Sequence, residues 1–145
     1  MNSRWFITNV WIVVVVTTLS LTATAEESTS QWQRNLDEAW QQSKDESRPL
    51  LMVFTHPTCR FCAKIMDHTF ADNAVRSNLD ASFVAVAVDA QDQPALVEKL
   101  AIRVYPTTVV ITPEAKVIES IRGYVSASEM NQRLTALTAR LASAE

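Results

Sequence analysis

The sequence predicts an α/β fold, a four-stranded mixed sheet with helices on both faces. Residues 50–54 and 83–88 are unbroken apolar runs of strand length, as expected for strands buried on both faces. Helical sequence separates them, so they are expected to be parallel and joined by a right-handed crossover. Residues 108–111 and 116–121 flank a turn that contains Pro113, which predicts an antiparallel hairpin. A parallel pair and a hairpin in one chain indicate a mixed sheet.

Length and composition fit one domain and exclude two kinds of partner. The chain has 145 residues, of which 48% are hydrophobic and 20% charged, so it can bury a core. A net charge of −3 provides no basic surface for nucleic acid. Gly123 is the single glycine, which excludes the glycine-rich loops that hold nucleotide phosphates.

The first 25 residues have the pattern of a secretory signal peptide. Arg4 precedes a mostly apolar stretch over residues 5–21, and Ala23 and Ala25 form an A-x-A cleavage site. Cleavage after Ala25 leaves residues 26–145 as the mature domain, without stable insertion in a membrane. The alternative is an uncleaved anchor, because the apolar stretch approaches the length that spans a bilayer. In either case we expect a periplasmic or secreted domain, membrane-anchored if the leader is retained, where disulfides are permitted.

The first helix of the mature domain is expected to begin at Ser30. Ser30 and Gln33 have the spacing of a capping box. The apolar positions that follow share one helical face and place both tryptophans of the domain in the core: Trp32, Leu36, Ala39 and Trp40.

Two more helices are predicted between the first two strands. Thr58 is expected to cap the first, whose inward positions recur with helical spacing: Cys62, Ile65, Met66, Thr69 and Phe70. Asp72 is expected to begin the second, which reaches Leu79.

The remaining two helices flank the hairpin. Pro94 in a first-turn position predicts a helix through Leu100. Gly123 follows the hairpin, and Ser126 and Glu129 form a capping box for the last helix. Its apolar face carries Met130, Leu134, Leu137 and Leu141.

The chain's two cysteines form a C-x-x-C motif at a strand-to-helix junction. Cys59 and Cys62 are three residues apart, which brings their sulfurs within bridging distance across one helical turn. Cys59 lies at the helix N-terminus, where free N–H groups and the nearby Arg60 favour a thiolate. Cys62 falls on the apolar face. This asymmetry predicts one attacking and one resolving thiol, as thiol–disulfide exchange requires.

Two metal-based interpretations of the motif fit less well. A c-type haem site needs histidine after the second cysteine, where Ala63 stands. A zinc site would need His56 and His68 beside the cysteines, but His68 is about 9 Å further along the predicted helix. We therefore expect neither metal nor cofactor, and place His68 on the helix surface. His56 is either a solvated loop residue or a modulator of the Cys59 thiolate.

The chain resembles the thioredoxin superfamily over essentially all of residues 31–142. The matching elements are the strand 50–54, the C-R-F-C run at 59–62, Tyr105-Pro106-Thr107 before the hairpin, and Gly123 before the last helix. Residues 59–72 look most like the thioredoxin-like domain of the periplasmic transmembrane disulfide reductase. The resemblance implies a thioredoxin-like fold and exchange chemistry on protein thiols or disulfides, together with an unidentified redox partner.

The resemblance also implies roles for residues outside the motif. Pro106 is expected to be cis, to pack beside the cysteine pair and to shape the substrate groove. Tyr105 would offer backbone groups to an extended substrate. Phe61 would either pack over the disulfide or provide an apolar contact to substrate.

The chain departs from the superfamily pattern around the motif. The tryptophan usually found before the first cysteine is Thr58, and the dipeptide between the cysteines is Arg60-Phe61. The buried acid that relatives place six residues before the first cysteine is Val53. In those relatives the acid helps to take the proton from the second thiol.

A function of a different class is a binding module with a structural Cys59–Cys62 bridge. A bridge across so short a loop removes little chain entropy, which argues against a purely structural purpose. The sequence leaves open whether the exchange runs as reduction, oxidation or isomerisation.

Overall fold

The computed structural model describes residues 32–143. The predicted signal peptide and Ser30 lie outside these residues. Within them the elements are α1 (Leu36–Asp45), β1 (Leu50–Thr55), α2 (Arg60–Lys64), a π-helix (Ile65–Phe70), α3 (Asn73–Ser82), β2 (Val84–Asp89), α4 (Pro94–Lys99), β3 (Thr107–Ile111), β4 (Val117–Arg122) and α5 (Ala127–Ala142).

The strands form a four-stranded mixed sheet in the order β2-β1-β3-β4. β1 runs parallel to β2, with Leu50 opposite Val84. β3 is antiparallel to both β1 and β4. The predicted mixed sheet is therefore confirmed, including the parallel pair and the hairpin.

Side chains alternate across the sheet and form one core layer on each face. Along β1, Leu51 and Val53 join the first layer, which is covered by the π-helix, α3 and α5. Leu50, Met52 and Phe54 join the second layer, where α1 and α4 pack. Because helices cover both faces, β1 is buried almost throughout, as its unbroken apolar sequence predicts.

The start of the first helix differs from the prediction. α1 begins at Leu36, with the Asn35 side chain accepting hydrogen bonds from the first turn. Gln33 is extended instead of helical, because its N–H donates to the carbonyl of Ala85 at 2.9 Å beside β2. Trp32 consequently leaves the predicted face and packs edge-on against Phe70, with ring centroids 4.9 Å apart.

The helix after β1 also differs in detail. Its N-cap is Cys59, not Thr58, because the Cys59 sulfur accepts the N–H of Cys62. The second half widens into the π-helix, which still buries Ile65, Thr69 and Phe70 as predicted. α3 starts after its cap Asp72 but extends to Ser82, past the predicted end at Leu79.

The second half of the chain follows the sequence signals closely. Pro94 opens α4, and the side chain of Ser126 caps α5 by accepting the N–H of Glu129. Ala115 in the hairpin turn has a φ of 65°, and Gly123, which follows β4, has a φ of 81°. The left-handed conformation at Gly123 explains why the chain's single glycine stands there.

Arg48 ties the loop before β1 to the C-terminal end of α3. Its guanidinium donates to the carbonyls of Leu79, Asp80 and Phe83 and pairs with Glu46 at 2.7 Å. Because these carbonyls lose a charged donor, Arg48→Met should lower the free energy of unfolding by about 1.5–3 kcal/mol. Urea denaturation should show a lower midpoint at an unchanged slope. The exposed Arg122 is the matched control, and an equal effect of Arg122→Met would contradict this role.

Candidate active site

The C-x-x-C pair lies where β1 passes into α2. Cys59 and Cys62 form a disulfide, with Cα atoms 5.2 Å apart. The Cys62 N–H donates to the Cys59 sulfur at 3.1 Å, so that sulfur occupies the helix N-cap. Cys59 is partly exposed, whereas Cys62 is only 4% exposed. The first cysteine is therefore partly open to solvent at a helix N-terminus, and the second is buried one turn later.

The loop between β1 and Cys59 is ordered by its own hydrogen bonds. The Cys59 N–H donates to the carbonyl of His56 at 3.0 Å. The His56 Nδ1 lies 3.2 Å from the Thr58 hydroxyl, and the His56 ring is 5.7 Å from the ring of Tyr105. His56 is thus a partly buried residue that joins the cysteine loop to the loop before β3.

The Tyr105–Pro106 peptide bond is cis, as the resemblance implies. Pro106 is buried, and its carbonyl accepts the N–H of Gly123 at 2.7 Å. The hydroxyl of Thr107 donates to the carbonyl of Val104 at 2.6 Å. These bonds fix the loop just before β3, while Tyr105 packs partly buried against the second core layer.

Aromatic and cationic side chains form an exposed rim beside the disulfide. Phe61 is 46% exposed, and its ring lies 6.5 Å from that of Tyr124. The Arg60 guanidinium is 5.1 Å from the centre of the Phe61 ring, and the Lys64 Nζ is 4.5 Å from that of Tyr124. We call Arg60, Phe61, Lys64 and Tyr124 the aromatic–cationic rim. Phe61 therefore presents apolar surface to solvent beside the cysteines.

Lys64 and Tyr124 were not among the site residues predicted from the sequence. Lys64 follows Arg60 by four residues, which is the spacing of neighbours on one helix face, so this signal was present. Tyr124 is brought to the rim by the turn after β4, and only the tertiary structure reveals this contact.

Val53 is fully buried in the first core layer together with Ile65 of the π-helix. The position at which relatives carry an acid is thus an apolar interior position. His68 is exposed on the π-helix, as predicted.

Within residues 32–143, no three histidine, cysteine or acidic side chains are grouped so that they could hold a metal ion. The same residues contain no helix of sufficient length and apolarity to cross a membrane.

The fold and the disulfide together define a thioredoxin-like α/β domain. A family model described as a thioredoxin-like domain matches residues 36–138. The chain belongs to this family.

Comparison with solved structures agrees with this assignment. A thioredoxin from Thermus thermophilus gives a TM-score of 0.68 at 20% identity, covering 74% of this chain and 87% of that chain. The DsbH oxidoreductase gives 0.63 at 22% identity, covering 74% and 83%. The oxidised DsbD C-terminal domain of Neisseria meningitidis gives 0.61 at 18% identity, covering 73% and 98%. At these identities the likeness establishes the fold.

Among curated proteins, B0495.5 of Caenorhabditis elegans is 29% identical over 86 residues. The match covers 53% of this chain and 12% of that protein. The chain therefore corresponds to a small part of this relative.

Proposed function

We propose that this protein is a thiol–disulfide oxidoreductase that acts on protein disulfides. The observation that carries the proposal is the unequal exposure of the two cysteines at the start of α2. A reachable sulfur at a helix N-terminus suits the nucleophile, because the free N–H groups stabilise a thiolate. A shielded sulfur three residues later suits the resolving thiol.

When the reaction is written as a reduction of substrate, the two cysteines supply all the electrons that it needs. The Cys59 thiolate attacks a substrate disulfide, forms a mixed disulfide and releases one substrate thiolate, which takes a proton from water. The Cys62 thiol loses its proton and attacks the Cys59 sulfur. This second step forms the Cys59–Cys62 bond and releases the other substrate thiol. Two electrons pass from the protein to the substrate, and the reverse sequence oxidises a substrate dithiol.

Neighbouring residues are proposed to bind substrate and adjust the thiols. Tyr105 and Pro106 would contact an extended substrate chain, and Phe61 would add an apolar contact. Arg60 and His56 would favour the Cys59 thiolate through a nearby cation and a hydrogen-bonded loop. The four side chains of the aromatic–cationic rim would border the substrate surface at Phe61.

We further propose that the domain works in an exported compartment. The support is the signal-like pattern of residues 1–25, with cleavage after Ala25. An exported oxidoreductase needs a redox partner to restore its starting state. That partner and the substrates would be proteins with accessible thiols or disulfides.

The two thiols of the reduced protein should differ in reactivity. Iodoacetamide at neutral pH is expected to label Cys59 about tenfold or more faster than Cys62, because only Cys59 is both accessible and at a helix N-terminus. Peptide mapping by mass spectrometry over time measures the two rates. Equal rates would remove the basis for assigning the roles.

The proposed function is tested by a redox titration of the Cys59–Cys62 pair in glutathione buffers, combined with insulin reduction under dithiothreitol. Two-electron exchange with a potential between about −270 and −120 mV, together with catalysed insulin reduction, is the expected result. A bridge that resists glutathione and gives no catalysis would instead identify a binding module.

A further inference from the structure

Thr108 carries a buried hydroxyl without a hydrogen-bond partner. Four polar side chains are buried within residues 32–143, and three of them donate to backbone carbonyls. These are Ser43 to Arg48, Thr69 to Val125 and Thr107 to Val104. Thr108 is 0% exposed, and its Oγ1 has no partner. An unpaired buried hydroxyl is unfavourable, so its presence calls for a function that valine would not supply.

The position of Thr108 in the sheet is defined by the strand register. It lies directly opposite Val53 on β1 and opposite Ile121 on β4. Val53, Ile121 and Val110, two residues further along β3, all belong to the first core layer. Since side chains alternate along a strand, the Thr108 hydroxyl enters this same layer.

The resolving thiol approaches this layer from the helix side. Cys62 is three residues before Ile65, so both side chains lie on the same face of the helical segment. Ile65 is fully buried in the first core layer, and Cys62, one helical turn earlier, is only 4% exposed. Thr108 stands two residues after Pro106, at the end of β3 that is nearer to the cysteine pair.

We propose that Thr108 is a positioning residue for the resolving thiol. In the reduced protein its hydroxyl donates a hydrogen bond to the Cys62 sulfur, directly or across one bridging water, and favours the thiolate over the thiol. The structure holds the oxidised pair, and in this state the Thr108 hydroxyl has no hydrogen-bond partner. On reduction the Cys62 sulfur can become a thiolate, which is a stronger acceptor, and the hydroxyl gains its partner.

The proposal rests on the proposed function and concerns its second step. Cys62 gives its proton to solvent, and the thiolate attacks the Cys59 sulfur while the bond to substrate breaks. The leaving substrate thiolate takes up a proton, and Thr108 keeps its own. Thr108 thus lies opposite Val53, and Val53 is the position at which relatives carry an acid. Unlike that acid, Thr108 acts as a hydrogen-bond donor and not as a base.

The core layer that contains Val53 is a cluster of apolar side chains, and the partly buried Tyr124 packs at its edge. The charged group that faces Tyr124 is Lys64 on α2. Neither Tyr124 nor Lys64 lies opposite Val53 or Thr108 in the sheet.

The test measures the Cys62 thiolate by its ultraviolet absorbance as a function of pH, in a Cys59→Ser background. Thr108→Val is expected to move thiolate formation about one pH unit higher, because the thiolate loses its donor. Thr108→Ser, which keeps the hydroxyl, should restore the original midpoint. With both cysteines present, Thr108→Val should slow release of a model substrate from the mixed disulfide about tenfold at neutral pH.

The stability of the variant separates this role from a structural one. Thr108→Val should keep or increase the free energy of unfolding, because a methyl group replaces an unpaired hydroxyl. An unchanged thiolate midpoint would overturn the proposal, and so would a serine variant that behaves like valine. The absorbance measurement needs no turnover, so a failure of the oxidoreductase function would appear separately, as absent insulin reduction by the wild-type protein.

Discussion

Cys59→Ser is expected to reduce catalysed insulin reduction to the uncatalysed background, whereas Cys62→Ser should retain the first step alone. Without the Cys59 sulfur no mixed disulfide can form, because Cys62 is only 4% exposed. Without Cys62 the mixed disulfide on Cys59 has no internal thiol to resolve it. The single-cysteine protein should therefore accumulate covalent adducts with disulfide substrates.

The two serine variants are matched controls for each other. Each removes the bridge and changes one sulfur to oxygen, so a purely structural effect of the disulfide should be similar in both. Non-reducing electrophoresis followed by mass spectrometry measures the adducts. Adducts on both variants in equal amounts would contradict the assigned roles, and adducts on neither would favour a binding module.

Val53→Asp should lower the stability of the protein more than the other substitutions proposed here. It should also increase the rate at which Cys62 resolves the mixed disulfide. Burying a polar group in β1 is expected to cost about 2–7 kcal/mol of unfolding free energy. The Thr108 hydroxyl opposite Val53 can donate to the new carboxylate, which favours the lower part of this range. As a base in the layer beneath Cys62, the carboxylate should speed substrate release by about tenfold or more.

The pH dependence of this variant follows from the burial of the introduced acid. Burial disfavours its charged form, so the carboxyl is neutral at low pH and becomes a base only as the pH rises. The gain in rate should therefore be present at alkaline pH and disappear on acidification.

Val53→Asn is the matched control, because it buries a polar side chain of the same shape without a base. Both variants should lose stability in thermal or urea unfolding, and only the aspartate variant should gain rate in single-turnover release of a model disulfide. A folded aspartate variant that resolves no faster than Val53→Asn would show that proton removal does not limit this protein.

Much of the fold was predictable because its signals are local. The apolar runs predict β1 and β2, Pro94 and Asp72 mark helix starts, and Ser126 caps α5 as expected. The cysteine pair was equally predictable, since three residues of helix determine how far apart the two side chains lie.

The predictions made from the sequence were wrong where a contact with a distant residue competes with the local preference for a helix. Ser30 and Gln33 have capping-box spacing, but Gln33 bonds instead to Ala85, which lies 52 residues later in the chain. Trp32 therefore packs on Phe70 and not on the predicted helix face. Local propensity cannot anticipate a sheet partner that is selected by the folded chain.

By itself the sequence determined the α/β class, the mixed sheet and the position of Cys59 and Cys62 at the start of a helix. Only the tertiary structure decided which groups surround the pair: Tyr124 beside Phe61, His56 beside Tyr105, and Thr108 opposite Val53. The physical reason is the range of the interactions. Periodicity, caps and turns act between residues a few positions apart, whereas these contacts join segments that meet only when the sheet register and the helix packing are set.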